Sequence, residues 1–95
     1  MIKACIASPW TSAGAVVITT KPALLVGISY QGSAGAATIT IKNGVTTGAS
    51  NIVVFNIPAT AGGFYTTPIP IVCGSGLIST NAGTVDGYSV LYSTI

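Results

Sequence analysis

Six side chains in this chain of 95 residues could carry acid–base or thiol chemistry: Asp86, the lysines Lys3, Lys21 and Lys42, and the cysteines Cys5 and Cys73. The sequence holds no His, Arg or Glu. General acid–base catalysis draws on His or on a carboxylate tuned by a neighbour, and Asp86 has no second carboxylate with which to form a glycosidase pair. A Ser–His or Cys–His nucleophile is excluded within one chain, and no Ser stands three residues before a Lys. A calcium loop needs several carboxylates. Zinc needs Cys and His in numbers this chain lacks. Cys5 and Cys73 are too far apart for a CxxC metal pair. Each lies in an apolar run, where a thiol behaves as a small buried hydrophobe, so both are expected to be free and buried. Gly32-Ser33-Ala34-Gly35 and Gly74-Ser75-Gly76 lack the GK[ST] step and following helix of a phosphate loop and read as turns. Asp86, beside Gly87, is expected to bond local backbone or a Lys across an interface, and takes no assigned role. The expectation is a protein that is not an enzyme, with no cofactor and no metal.

Charged residues make up only 4% of the chain, against about 25% in an ordinary soluble domain. A free soluble surface carries about 25–35% charged residues to stay dispersed. A chain without them is expected to cover its surface with copies of itself or with a partner, and closed cyclic symmetry is the usual way to do so. The net charge of +2 is too small for a phosphate-binding patch, so nucleic acid is not an expected partner. The mean hydropathy is high, +0.77. Even so, no stretch of about 20 residues is free of Gly, Pro and polar breaks, as a transmembrane helix requires. Ser8-Pro9-Trp10-Thr11 interrupts the N-terminus too early for a secretory signal. A membrane barrel would need spans of about 9–11 residues and two aromatic girdles; the spans here are shorter and the seven aromatics are scattered. No membrane partner is expected.

The elements that must position these residues are strands. Ala, Val, Ile, Thr, Ser and Gly dominate, and β-branched residues suit a pleated, half-buried surface. Turn signals recur every 8–12 residues or so, the rhythm of a sandwich or barrel. Strands are expected at Ile2–Ile6, Ala15–Thr19, Ala23–Gln31, Ala36–Lys42, Asn51–Ile57, Thr67–Cys73, Leu77–Thr80 and Val85–Ser93. Asn43-Gly44 is a strong turn signal, and Val45-Thr46-Thr47 reads as a weak hairpin strand after it. Leu24, Val26, Ile28 and Tyr30 are expected to share one face, as are Tyr88, Val90 and Tyr92. Pro68 and Pro70 remove two donors from one side of their strand, so that strand belongs at an edge, with Ile69 and Ile71 pairing on the other side. The reading is a single all-β domain over residues 1–95: an antiparallel β-sandwich, jelly-roll-like, with about eight short strands and no fixed-period repeat.

Tyr30, Tyr88 and Tyr92 lie on strand faces and read as packing residues. Trp10, the only Trp, sits in a Pro-containing break, and Phe64-Tyr65 follows Gly62-Gly63 at a loop end. Exposed loop aromatics anchor interfaces, so Trp10, Phe64 and Tyr65 are the candidate interface residues. The alternative is that each tucks under its own loop.

Over roughly residues 22–93, and most clearly at its end, the chain is similar to small tailed-phage virion proteins. The residues that carry the likeness are Pro68-Ile69-Pro70-Ile71-Val72-Cys73, Gly76-Leu77-Ile78-Ser79-Thr80, Gly83-Thr84-Val85 and Val90-Leu91-Tyr92. Upstream, Gly27-Ile28-Ser29 and Ala37-Thr38-Ile39-Thr40-Ile41-Lys42-Asn43-Gly44 fit the same layout. The resemblance implies a compact β-sandwich or jelly roll, often trimeric, that sits on a capsid as cement or decoration, or belongs to a neck, tail or fibre. It carries over no site residue. Together with the charge argument it gives the expected function: a capsid cement or decoration subunit on the virion surface, assembled in the host cytoplasm. Its partners would be copies of itself, as a homo-oligomer and most simply a trimer, and the major capsid protein or another virion protein. The alternative is a carbohydrate-binding or adhesin module of a phage tail or fibre. Trp10 lacks the close acidic neighbours that sugar sites favour.

Overall fold

The computed structural model describes residues 6–94. Lys3, Cys5 and most of the expected strand Ile2–Ile6 lie outside the described residues. Six antiparallel strands form one continuously bonded sheet: β1 (Ile6–Ala7), β2 (Ala15–Thr19), β3 (Ala23–Asn43), β4 (Ser50–Ile57), β5 (Gly62–Cys73) and β6 (Leu77–Thr94). The described residues contain no helix.

The expected turn after Ala23–Gln31 and the break expected between Leu77–Thr80 and Val85–Ser93 are both corners instead. Gly32-Ser33-Ala34-Gly35 lies inside β3, 21 residues long, and Asn81-Ala82-Gly83 lies inside β6, 18 residues long. The chain bends there without reversing. Between the partnered positions Gly32–Val85 and Ala37–Gly83, β3 carries four residues where β6 carries only Thr84. That mismatch is a bulge on the outside of a corner, and bulges bend strands and raise their twist. Gly83 takes φ +92 there, and a Cβ on it would meet the Ala36 carbonyl at 2.5 Å. Only glycine fits both the conformation and the approach. On the β3 side, the β4–β5 connection braces the corner: Gly32 N–H donates to Ala61 O at 2.6 Å and Thr60 N–H to Ser33 O at 2.7 Å.

The corner folds the sheet onto itself. Ser79 and Tyr88 both belong to β6, nine residues apart, about 30 Å along a straight strand at ~3.3 Å per residue. Their hydroxyls lie 2.7 Å apart, buried in a hydrogen bond. The result is a sandwich of two four-segment layers. One layer runs β5, the first half of β3, the second half of β6, then β1; the other runs β4, the second half of β3, the first half of β6, then β2. This arrangement, in which every chain connection but the β3–β4 one crosses between the layers, is jelly-roll order. Leu25, Ile28, Tyr88 and Val90 from the first layer meet Ile39, Ile41, Phe55, Ile57 and Leu77 from the second in a single core.

Local sequence explains most of the rest. Lys21-Pro22 ends β2, and alternating Thr38, Ile39, Thr40 and Ile41 buries the isoleucines fully. Tyr88 and Val90 are buried and Tyr92 packs against the core, on the face expected for all three. Leu24 and Val26 do not share the face of Ile28. The ladders of β3 with β5 and β6 shift register between Leu25 and Gly27, so Leu25 turns inward in their place. Val45-Thr46-Thr47 is a turn and not a strand; Lys42 Nζ reaches across it to the Thr47 carbonyl. β5 is an edge strand as its prolines require, pairing with β3 alone. Thr67, Pro68, Ile69 and Pro70 fall between the partnered residues Thr66 and Ile71, so Ile69 is not in the ladder. Thr67 Oγ1 donates toward Val26 O at 3.2 Å and Leu25 O at 3.5 Å, supplying those carbonyls at a place where prolines bring no N–H.

Candidate interaction surface

Trp10 is held by the segment before β2. Ser8 N–H donates to Val90 O at 2.9 Å, Val90 N–H donates to Ser8 Oγ at 2.8 Å, and Ser89 Oγ donates to Ser8 O. Thr11 and Tyr88 exchange both backbone bonds, at 3.0 and 2.8 Å. Between these clamps the Trp10 indole lies on the backbone of Gly87: a Cβ there would fall 2.0 Å from Nε1. Tyr88 points into the core, so Gly87 faces outward, and Trp10 covers it while remaining 55% exposed.

Phe64 and Tyr65 do not stand at a loop end. Both lie within β5, and adjacent strand residues point to opposite faces. Phe64 pairs opposite Ser29 and faces out, 69% exposed; Tyr65 pairs opposite the buried Ile28 and faces in. Tyr65 closes the edge of the sandwich between Tyr30, ring centroids 5.0 Å apart, and Phe55, at 5.7 Å. Its hydroxyl donates to Asn56 O at 3.0 Å. Tyr65 therefore joins the layers, and is not a companion of Phe64.

Trp10 and Phe64 are brought to one surface, the outer face of the layer that contains β5. Gly87 pairs with Gln31, and Gln31 with Gly62, two residues from Phe64. With strands ~4.8 Å apart and ~3.4 Å per residue, Phe64 lies about 10 Å across and about 7 Å along from the seat of Trp10. Val72 extends the face at 63% exposure, opposite Leu24. Leu24, Ser29, Gln31 and Ser89 complete it without a charge. Gln31, Gly87 and Val72 were missed in the sequence reading. Their signal was the alternation about Tyr88, which places a glycine on the outside.

Cys73 is fully buried and free, and burial pushes its thiol pKa up. Asp86 is exposed on β6. Among the described residues no three His, Cys, Asp or Glu side chains gather as metal ligands would. A second feature lies at the open edge of the sandwich. There β4 and β5 leave a shallow groove of about 320 Å³ lined by Val54, Phe55, Asn56, Tyr65 and Thr66. No protein-family model, no curated protein and no solved structure matches this chain.

Proposed function

We propose that this protein is a structural subunit of a virus particle, of the capsid cement or decoration kind, working by apolar contact. The carrying observation is the outer face on which Trp10, Phe64 and Val72 are exposed together on a rigid sheet. Large exposed apolar groups clustered on a face mark interaction sites, and aromatic anchors dominate binding energy. The scarcity of charge, four ionic side chains in the chain, leaves little for ion pairing to contribute. In this reading the face closes copies of the chain into an oligomer, and the oligomer seats on the major capsid protein or another virion protein. Many weak contacts on one particle then act together, since linked sites gain avidity without new contacts.

The test is occupancy on purified particles after a wash in 1 M salt, where the screening length falls to about 3 Å. Wild type should stay bound, because burial of apolar surface does not depend on charge. Trp10→Ala should loosen attachment by about 2 kcal/mol while the subunit stays folded. Release of wild type by salt, or a Trp10→Ala variant that holds as well, refutes the reading.

A further inference from the structure

Asn43-Gly44 is a turn signal that the interaction surface leaves unused, and the pair has chemistry of its own. Asparagine is a chemically labile side chain. Its amide cyclises most readily when glycine follows, because no Cβ screens the next backbone nitrogen. Asn51 and Asn56 are each followed by isoleucine and Asn81 by alanine, so Asn43 is the reactive amide of the chain. The reaction needs only water. The Gly44 nitrogen gives its proton to solvent base and bonds to Asn43 Cγ. The Cγ–Nδ2 bond breaks, and ammonia leaves with a proton taken from water. Water then opens the cyclic imide at either carbonyl, leaving an aspartate or an isoaspartyl link at position 43.

The fold holds both reacting groups away from each other. Asn43 closes β3 and is partnered on both sides, with Leu77 of β6 and Ser50 of β4. The extended backbone of a strand turns the next nitrogen away from the eclipsed approach that ring closure needs. Asn43 Oδ1 accepts from Ser75 N–H at 2.9 Å, and Gly44 N–H donates to Gly76 O at 3.2 Å. The amide and the nitrogen that would attack it are thus tied separately to one turn, Gly74-Ser75-Gly76. Both bonds must open before the Gly44 nitrogen can lose its proton and swing onto Cγ. The turn is itself fixed: Gly76 takes φ +106, and a Cβ there would meet Thr19 O at 2.7 Å and Val45 Cγ1 at 3.2 Å. We propose that Asn43 is a latent deamidation site, kept shut by the Gly74-Ser75-Gly76 turn and reacting whenever that turn lets go. The aspartate product keeps an oxygen for Ser75 N–H and is tolerated. The isoaspartyl product lengthens the backbone by one carbon between Leu77 and Ser50, and cannot keep both ladders. An opening that reacts this way therefore leaves a subunit less able to close again. The site uses none of the outer-face residues Trp10, Phe64 and Val72, so it stands or falls separately from the docking surface.

The experiment follows the amide-to-acid mass change at each asparagine by peptide mapping of the whole chain, incubated at neutral pH either folded or held unfolded in guanidinium. Unfolded protein should lose the amide of Asn43 ahead of those of Asn51, Asn56 and Asn81. Folded protein should lose it at least about ten times more slowly, since reaction then waits on local opening. Gly76→Ala should speed the loss in folded protein several-fold, because the methyl displaces the turn from Thr19 O. Gly74→Ala, in the same turn but where a Cβ meets nothing within 4 Å, should leave the rate unchanged. The comparison of folded with unfolded wild type decides the matter even if Gly76→Ala does not fold. The proposal is overturned if folded and unfolded wild type react equally fast, if another asparagine reacts first in the unfolded chain, or if folded Gly76→Ala reacts no faster than Gly74→Ala.

Discussion

Replacing Tyr88 by Phe removes one oxygen and tests whether the sheet is folded over. Tyr88 and Ser79 are both fully buried, and their hydroxyls form the only side-chain bond from one half of β6 to the other among the described residues. Tyr88→Phe leaves the Ser79 hydroxyl buried without its partner, which costs about 1–3 kcal/mol. At about 4–8 °C per kcal/mol for a domain of this size, the melting point should fall by at least about 4 °C. Ser79→Ala strands the phenol in the same way. The double variant replaces both polar groups, a nearly neutral exchange, so it should lose much less than the two single losses added together. A coupling energy of about 1 kcal/mol or more is expected from thermal or urea unfolding of all four proteins, above the ~0.3–0.5 kcal/mol scatter of independent sites. Additive losses would mean the two hydroxyls never meet, and the folded-over sheet would be wrong. The same residue fixes an alkaline signature. Burial raises the Tyr88 pKa above its ordinary 10.0, although the Ser79 bond pulls the other way. A phenol whose folded pKa is raised stabilises fully below the unfolded value and loses that contribution as pH climbs through the folded one. Stability should therefore fall above about pH 10, and fall less in Tyr88→Phe.

Two further outcomes follow from the packing. Gly87→Ala should unseat Trp10, since the new methyl would stand 2.0 Å from Nε1; Trp fluorescence should shift to the red while circular dichroism stays that of the wild type, and an unchanged spectrum would contradict the seating. Cys73, fully buried with its thiol pKa raised from 9.0, should resist alkylation in the native protein and react on unfolding, with stability falling as pH rises past about 9; rapid native labelling of the Cys73 peptide would place the thiol at the surface.

Much of the fold was legible because period-two alternation is a direct imprint of a half-buried strand. Ala15–Thr19 matches its expected limits, and β3 begins at Ala23 as expected, just after Pro22. The corners were not legible. Gly32-Ser33-Ala34-Gly35 and Asn81-Ala82-Gly83 carry turn chemistry, and glycine serves a corner as well as a reversal; which one forms is decided by the partner strand. The bulge at Val26 is hidden for the same reason, since it exists only against β5 and β6, and it moved Leu24 and Leu25 to opposite roles. For the interaction surface, Trp10 and Phe64 stood out as aromatics in breaks, but their common face depends on a register through Gln31 that no local pattern shows. Tyr65 was misplaced beside Phe64 because Gly62-Gly63 read as loop. Once β5 includes them, alternation alone separates the two rings.

If the protein associates through its uncharged outer face, as proposed, the solution mass of the isolated protein from light scattering, at micromolar concentration and in 1 M salt, reports it. Wild type should be a closed oligomer in both conditions, and Phe64→Ser combined with Val72→Ser should give a folded monomer. A wild-type protein that remains a 9.4 kDa monomer, or an oligomer that salt dissolves and the double variant does not, would contradict it.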